Sequence, residues 1–486
     1  MKRLAGMVLS LIFCFGLILT SCKETKEPLL ITDAGEMPTE DEREDESAAP
    51  ESEGIIPADN YISTDYDPRC RNFVCESEKR IYYVSGAGYL DHFDGNSRKY
   101  IFFIDKESGA QGVLCGREGC QHNSTDCLAC IGNDSVLRLA LHDGKLLLAA
   151  ARGSEHPEIH IYKGGTDGSG FREIGAIPAV SYEADTEGTW ISEAFFHRGY
   201  FYILSEKSVA EEQENPYSAE LPDYTGLIIR AIRFPLDNLN ISEELYCETM
   251  KDEWISSFPW LIPDRDDLYL GIRLAREDPE NWRNTLSGAL RMYRLTDVEA
   301  PELLYEGEIP VMGGVTVRDG AFRLTGRTYD NKKMLVYRFD PETKRFIEEM
   351  KVGTLTEDAD ELFSSFGYNG EYFLAIQDGV NLAGLDETQL DADWSITFYG
   401  ENGKMLSEHV LNVGKTMEKL QLSPSEFGEA WMFYVNFFAA DRDAYYAILN
   451  ISSWGGAQKQ YQALVRIPVE EGEDWSLFLE GGDGMS

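Results

Sequence analysis

A strand–turn–strand phrase that returns roughly every 50 to 70 residues constrains this chain more than any other feature. Each copy runs an alternating segment into a polar tight turn, then a strongly apolar segment and, beyond a variable stretch, a further strand. Seven copies can be traced. The first three are Arg80 to Ser85 with Tyr100 to Leu114, Val136 to Ala151 around Asp143-Gly144, and Ala194 to Ser205 around Arg198-Gly199, followed by Leu227 to Phe234. The fourth turns at Arg265-Asp266-Asp267 before Leu268 to Ile272 and adds Ala289 to Leu295; the fifth turns at Asp319-Gly320 and continues through Met334 to Phe339. The sixth turns at Asn369-Gly370 with Ser395 to Tyr399 behind it, and the last runs from Trp431 to Leu449 around Arg442-Asp443, then Gln462 to Ile467.

Asn-Gly and Asp-Gly between apolar runs favour two-residue turns, because both central positions take positive φ at low cost. One such hairpin cannot bury its own face, whereas radial packing of repeated four-stranded units does, which predicts an all-β fold, a β-propeller. Ile104 to Gly109 and Phe339 to Lys344 follow strands with matching turn chemistry, as expected between the third and fourth strands of a blade. Seven blades fit the count best, with six or eight compatible because the first and last copies are irregular. A two-sheet sandwich is the runner-up, but about 400 residues exceed one sandwich domain.

The start of the chain reads differently. Lys2 and Arg3 precede an apolar run from Leu4 to Leu19 that ends in Leu19-Thr20-Ser21-Cys22, a lipobox. Residues 1–21 are therefore expected to be a lipoprotein signal peptide, cleaved so that the Cys22 thiol carries palmitate-class acyl chains and tethers the protein to the extracytoplasmic face of the cell membrane. Residues 22–60 follow as an acidic segment, with thirteen acids and three bases between Lys23 and Asp59. Such a composition cannot offset ordering entropy and predicts a disordered linker, with the propeller domain spanning 61–486. Lys plus Arg total 44 against 85 Asp plus Glu, a net charge of −41, which disfavours nucleic acid and other polyanionic partners.

The sharpest chemistry lies at the end of the first copy, where Cys115, Cys120, His122, Cys127 and Cys130 fall within sixteen positions. With the lipobox and the acidic linker, this segment resembles a group of largely uncharacterised β-propeller lipoproteins of Gram-positive anaerobes, which carry a Leu-Cys … Cys-x-His … Cys stretch after the first blade. The resemblance covers most of the mature chain, rests specifically on Cys115, Cys120, His122 and Cys127, and implies architecture and address rather than activity. Cys130 is extra to that pattern.

Two physical readings compete for the cluster. Three thiolates and an imidazole suit a tetrahedral structural zinc ion, although the spacing is not that of a common finger or ribbon. Exported cysteines also oxidise, and Cys70, Cys75, Cys115, Cys120, Cys127 and Cys130 would make three disulfides, leaving Cys247 unpaired. Either chemistry would staple a long loop.

Other candidates are weaker. Asp185, Thr189 and Trp190 match part of a sialidase Asp-box, with Glu183 and Glu187 in place of its Ser and Gly. Asp264, Asp266 and Asp267, or Asp441 and Asp443, offer oxygen ligands for Ca²⁺ but sit where turns favour Asp anyway. His142, His197 and His409 stand alone; Trp254, Trp260, Trp282, Trp394, Trp431 and Trp454 suit either ligand platforms or blade cores. No nucleophile elbow, phosphate loop or dinucleotide fingerprint occurs. The sequence therefore favours a membrane-anchored propeller that binds an extracellular ligand or protein partner through varied stretches such as Glu206 to Thr225 and Ala275 to Ser287. The alternative is an extracytoplasmic hydrolase or lyase acting on polysaccharide or peptide with acid pairs at the channel mouth; no catalytic residue can be assigned for it.

Overall fold

A computed structural model describes most of residues 74–480; residues 1–73 and 481–486, the segments 85–97, 178–188, 211–223 and 379–389, and shorter stretches between strands lie outside the described residues. Cys22, the linker and Cys70 fall in that undescribed part. All described residues belong to one compact unit, 50–484.

Seven antiparallel sheets succeed one another along the chain, each built from four strands paired in sequence order. Blade 1 comprises Val74–Glu76, Arg80–Val84, Lys99–Asp105 and Gln111–Val113, and Cys130–Gly132 adds to its third strand. Blade 2 is Ser135–His142, Lys145–Arg152, Glu158–Gly165 and Arg172–Ile177; blade 3 is Thr189–His197, Tyr200–Ala210, Tyr224–Pro235 and Glu243–Lys251. Ser256–Asp264, Asp267–Glu277, Thr285–Arg294 and Glu302–Ile309 form blade 4, and Val311–Arg318, Ala321–Thr328, Lys333–Asp340 and Arg345–Thr354 form blade 5. Blade 6 takes Phe363–Tyr368, Tyr372–Asp378, Asp393–Gly400 and Met405–Asn412; blade 7 takes Trp431–Ala440, Ala444–Ser453, Gln460–Pro468 and Ser476–Glu480. A short helix, Val413–Lys419, joins the last two blades, its first turn capped by the Asn412 side chain, which accepts from the Lys415 N–H at 3.0 Å.

The ring is visible in the contacts between sheets. The first strand of blade 1 touches the first strand of blade 2, and this continues from blade 2 to 3, 3 to 4 and 4 to 5; the first strand of blade 7 returns to that of blade 1. This is a seven-bladed β-propeller, as the repeat predicted. The tight turns behave as their residues require, with positive φ at Asp143 and Gly144, Arg198 and Gly199, Arg265, and Gly320. Asp105 and Asp340 close the turns between third and fourth strands: Asp105 Oδ1 accepts from Ser108 N at 2.9 Å, and Asp340 Oδ1 from Glu342 N at 3.0 Å.

Alternation along the strands sends apolar side chains to both faces of each sheet, where they fill the seams between blades. Leu147 and Ile161 meet Phe196, Phe201 and Ile203 between blades 2 and 3. Leu204 and Ile229 meet Leu268 and Leu270 between blades 3 and 4. Truncating one such buried leucine costs about 2–5 kcal/mol. Two carboxylates on first strands add polar stitches: Glu193 accepts from Leu261 N–H, and Asp264 from Gly320 N–H, each at 2.6 Å.

Two details differ from the sequence reading. The first strand of blade 1 is Val74–Glu76, so Arg80–Val84 is its second strand rather than its opening one. The pairing in blades 3 and 4 extends to Ala210↔Tyr224 and Glu277↔Thr285, into stretches read as loops, because a ladder of backbone bonds continues past the apolar core.

Candidate metal centre

The fourth strand of blade 1 is split. Gln111, Gly112 and Val113 pair with Ile104, Phe103 and Phe102; Leu114 N–H then donates to Ile101 O at 2.8 Å. The chain departs at Cys115 and returns at Cys127, after which Ala129 O accepts from Ile101 N–H at 3.0 Å, Cys130 pairs with Tyr100 and Gly132 with Lys99. One edge of one strand is thus served by two pieces of chain, with residues 115–128 looping out between them. Cys115 stands at the exit and Cys127 at the return, while Cys120 and His122 come from the loop.

Those four side chains converge. Their ligand atoms all lie within 4.8 Å of one another. A tetrahedral ion with Zn–S bonds of about 2.3 Å needs its sulfurs about 3.8 Å apart, so small adjustments suffice for a metal to be held. Positive φ at Gly119 and at His122 reverses the loop, and His122 Nδ1 arrives 3.4 Å from Cys127 Sγ. A left-handed histidine costs of order 1 kcal/mol and persists where its surroundings fix it.

The electrostatics suit a cation. The Cys115 sulfur accepts from the backbone N–H groups of Arg117 and Leu128, and the Cys127 sulfur from that of Ala129. Burial raises the Cys115 thiol, but those amides and the neighbouring thiols outweigh it and leave it below the usual thiol range. Burial pushes the Cys127 thiol well up, and the charge of Cys115 beside it adds to the shift. Burial also holds His122 below the usual histidine range, so its imidazole is neutral near pH 7 and offers a lone pair. Crowded thiols that resist joint ionisation give up their protons to a bound cation.

None of the six described cysteines is joined in a disulfide. Cys75 lies on the first strand of blade 1, Cys130 follows the cluster in the returning strand piece, and Cys247 is exposed on the fourth strand of blade 3. Asp264 is spent on Gly320, Asp266 forms an ion pair with Arg198 at 3.3 Å, and Asp267 accepts from Thr296 Oγ1 and the Tyr269 hydroxyl, each at 3.2 Å. His197 and His409 are buried, and Trp394 is a core residue of the blade 6–7 seam. Trp260 is half-buried, with the Arg273 guanidinium 5.8 Å from its ring centroid. Asp185, Trp254, Trp282, Trp454 and Asp441 lie outside the described residues, and Thr189 and Trp190 open the first strand of blade 3. Sequence reasoning passed over Glu193 and His160. The latter is buried with Nε2 3.7 Å from Glu158, two residues before it on the same strand, and Nδ1 3.1 Å from Glu173 on the next strand, whose approach no local pattern announces.

Fold and site together define a seven-bladed β-propeller with a Cys₃His cluster at the exit of its first blade. No known protein family matches the chain, and no curated protein does. Solved structures similar to it include the polysaccharide lyase PL25 ulvan lyase, at 11% identity and a TM-score of 0.43 over 85% of this chain and 96% of that one. Also similar is the β-propeller domain of the Trilobed protease from Pyrococcus furiosus, at 10% identity and a TM-score of 0.36 over 84% and 96%. Among the described residues no helix is long and apolar enough to cross a membrane.

Proposed function

We propose that this protein is a lipid-anchored, extracytoplasmic β-propeller in which Cys115, Cys120, His122 and Cys127 hold a structural zinc ion. The observation that carries the metal assignment is the closed set of four ligand atoms within 4.8 Å at the neck of the split strand. Four protein ligands leave no open position for substrate, so the ion serves architecture rather than chemistry. In this reading the backbone N–H groups of Arg117, Leu128 and Ala129 orient and stabilise the thiolates, as outer partners of metal ligands do. The test is metal content and free thiols in anaerobically purified protein. One zinc per chain with reduced cluster cysteines is expected, and metal-free protein with those cysteines oxidised rejects the assignment.

The working role we assign is binding of an extracellular ligand or protein partner by a scaffold held at the membrane through Cys22. The second reading, a hydrolase or lyase acting on polysaccharide or peptide, names the same substrate classes as those of the lyase and the protease above. Their fold likeness supplies the panel to screen and does not transfer a reaction. Polysaccharides and peptides retained without turnover support binding; turnover supports the enzyme. Cys22→Ser should move the protein from the detergent phase to the aqueous phase, and unchanged partitioning would remove the lipid anchor from this account.

A further inference from the structure

We infer that the metal-bound loop is the clasp of the propeller ring, joining blades 7, 1 and 2 across the point where the two ends of the fold meet. The inference rests on the structural-metal reading above and extends it from the loop to the whole ring. Among the described residues each blade is built from strands consecutive in the chain, and none of these strands is exchanged between the beginning and the end of the propeller. Among the described residues, side-chain packing at the seam carries closure. One apolar cluster does this at the junction: it runs from Ala444, Tyr446, Ile448 and Leu464 of blade 7, through Ile81, Tyr83 and Ile101 of blade 1, to Leu139, Leu146 and Leu148 of blade 2. The cysteine loop and the strand piece after it are inside that cluster, through Cys127, Ala129 and Ile131.

The loop also interlocks directly with blade 2. Gly116 N–H donates to Gly168 O at 3.2 Å, in the turn between the third and fourth strands of blade 2. The two backbones lie so close that a Cβ on Gly116 would sit 2.9 Å from Ser169 N, and one on Gly168 would sit 2.7 Å from Leu114 O. Tyr82 bonds to Thr166 in the same turn. On the other side, Lys106 pairs with Glu76 at 2.8 Å and lies 5.9 Å from the centroid of the Tyr446 ring of blade 7. An ion that draws Cys115 and Cys127 together therefore fixes a stretch of backbone that both abuts the blade 2 turn and contributes to the three-blade core.

Hydrogen exchange on the full chain, loaded with zinc and then stripped by a chelator, tests this. Metal content is measured first, so that a chain without zinc counts against the metal reading and the clasp together. On stripping, exchange should rise roughly tenfold or more in 80–84, 99–105, 135–148 and 444–448, while 200–204 and 268–274 keep their protection. Loss of protection confined to 115–128 would overturn the clasp and leave the metal reading standing. Gly168→Val leaves every ligand in place but forces a side chain onto Leu114 O at a φ of 80°. Zinc retained with faster exchange in 80–84 and 135–148 supports the clasp; zinc retained with unchanged exchange overturns it.

Discussion

The seam between blades 3 and 4 and the seam between blades 1 and 2 solve the same problem by different means. At the first, two full-length first strands lie side by side, the leucine-rich faces of Leu204 and Leu270 pack directly, and the Glu193 carboxylate reaches a backbone amide of the next blade. At the second, the first strand of blade 1 has only three residues, and a looped-out segment of the fourth strand reaches over to the turn of blade 2. Strand length supplies contact area in one case. In the other, a shortened strand is accompanied by a loop that brings three thiols and an imidazole together, the set proposed to fix its shape. A seam is therefore as robust as the element that sets its geometry, and the two should fail under different insults.

The largest difference is expected from Cys127→Ala, which removes a ligand at the neck of the split strand. Zinc should be lost and the chain destabilised by roughly 4 kcal/mol or more, and chelator should no longer affect the variant although it lowers the melting temperature of the parent. Equal melting temperatures in parent and variant would erase the contrast between the seams.

Acid should weaken blade 3. His197 closes the first strand of blade 3, where burial, then Arg198 and His142, hold it down at about 4 against smaller opposing effects from Asp266 and Asp267. Its neutral form is the folded form, so its contribution is complete above about pH 6.5. That contribution is lost as the pH falls from 6.5 toward 4, as the unfolded chain takes up the proton first, by about 3 kcal/mol. Urea titrations of parent and His197→Gln across that range should converge at low pH, and parallel curves would contradict the assignment.

Glu193→Ala leaves the Leu261 N–H without its acceptor and should cost about 2 kcal/mol with zinc content unchanged, which separates the polar stitch from the metal clasp. Arg198→Ala should have the smallest effect. It removes an ion pair to Asp266 whose partners are 49% and 78% exposed, so a loss of about 0.5 kcal/mol or less is expected from denaturant midpoints.

Much of the fold was legible because the information is local. Asp143-Gly144, Arg198-Gly199 and the paired turns at Asp105 and Asp340 carry their φ values and side-chain acceptors within four residues. The cysteine and histidine ligands were legible as a set for the same reason. What stayed hidden is non-local. Val74–Glu76 is too short to show alternation. The division of the fourth strand of blade 1 is set by partners on Lys99–Asp105, which a reading along residues 111–132 does not contain. Glu193 and Asp264 look like ordinary acids until their acceptor roles 68 and 56 residues away are seen.

The strictly successive order of the strands carries a kinetic consequence. Every sheet is assembled from near neighbours, so contact order within a blade is low and the blades can nucleate one after another as the polypeptide emerges. Among the described residues the most distant meeting of first strands is that of Val74–Glu76 with Trp431–Ala440. Bringing together chain positions that far apart costs about 5 kcal/mol in loop entropy if the intervening polypeptide is still slack, and far less once five rigid blades already curve toward the gap. Closing of the circle is thus expected to come late, and it depends on a first strand of only three residues.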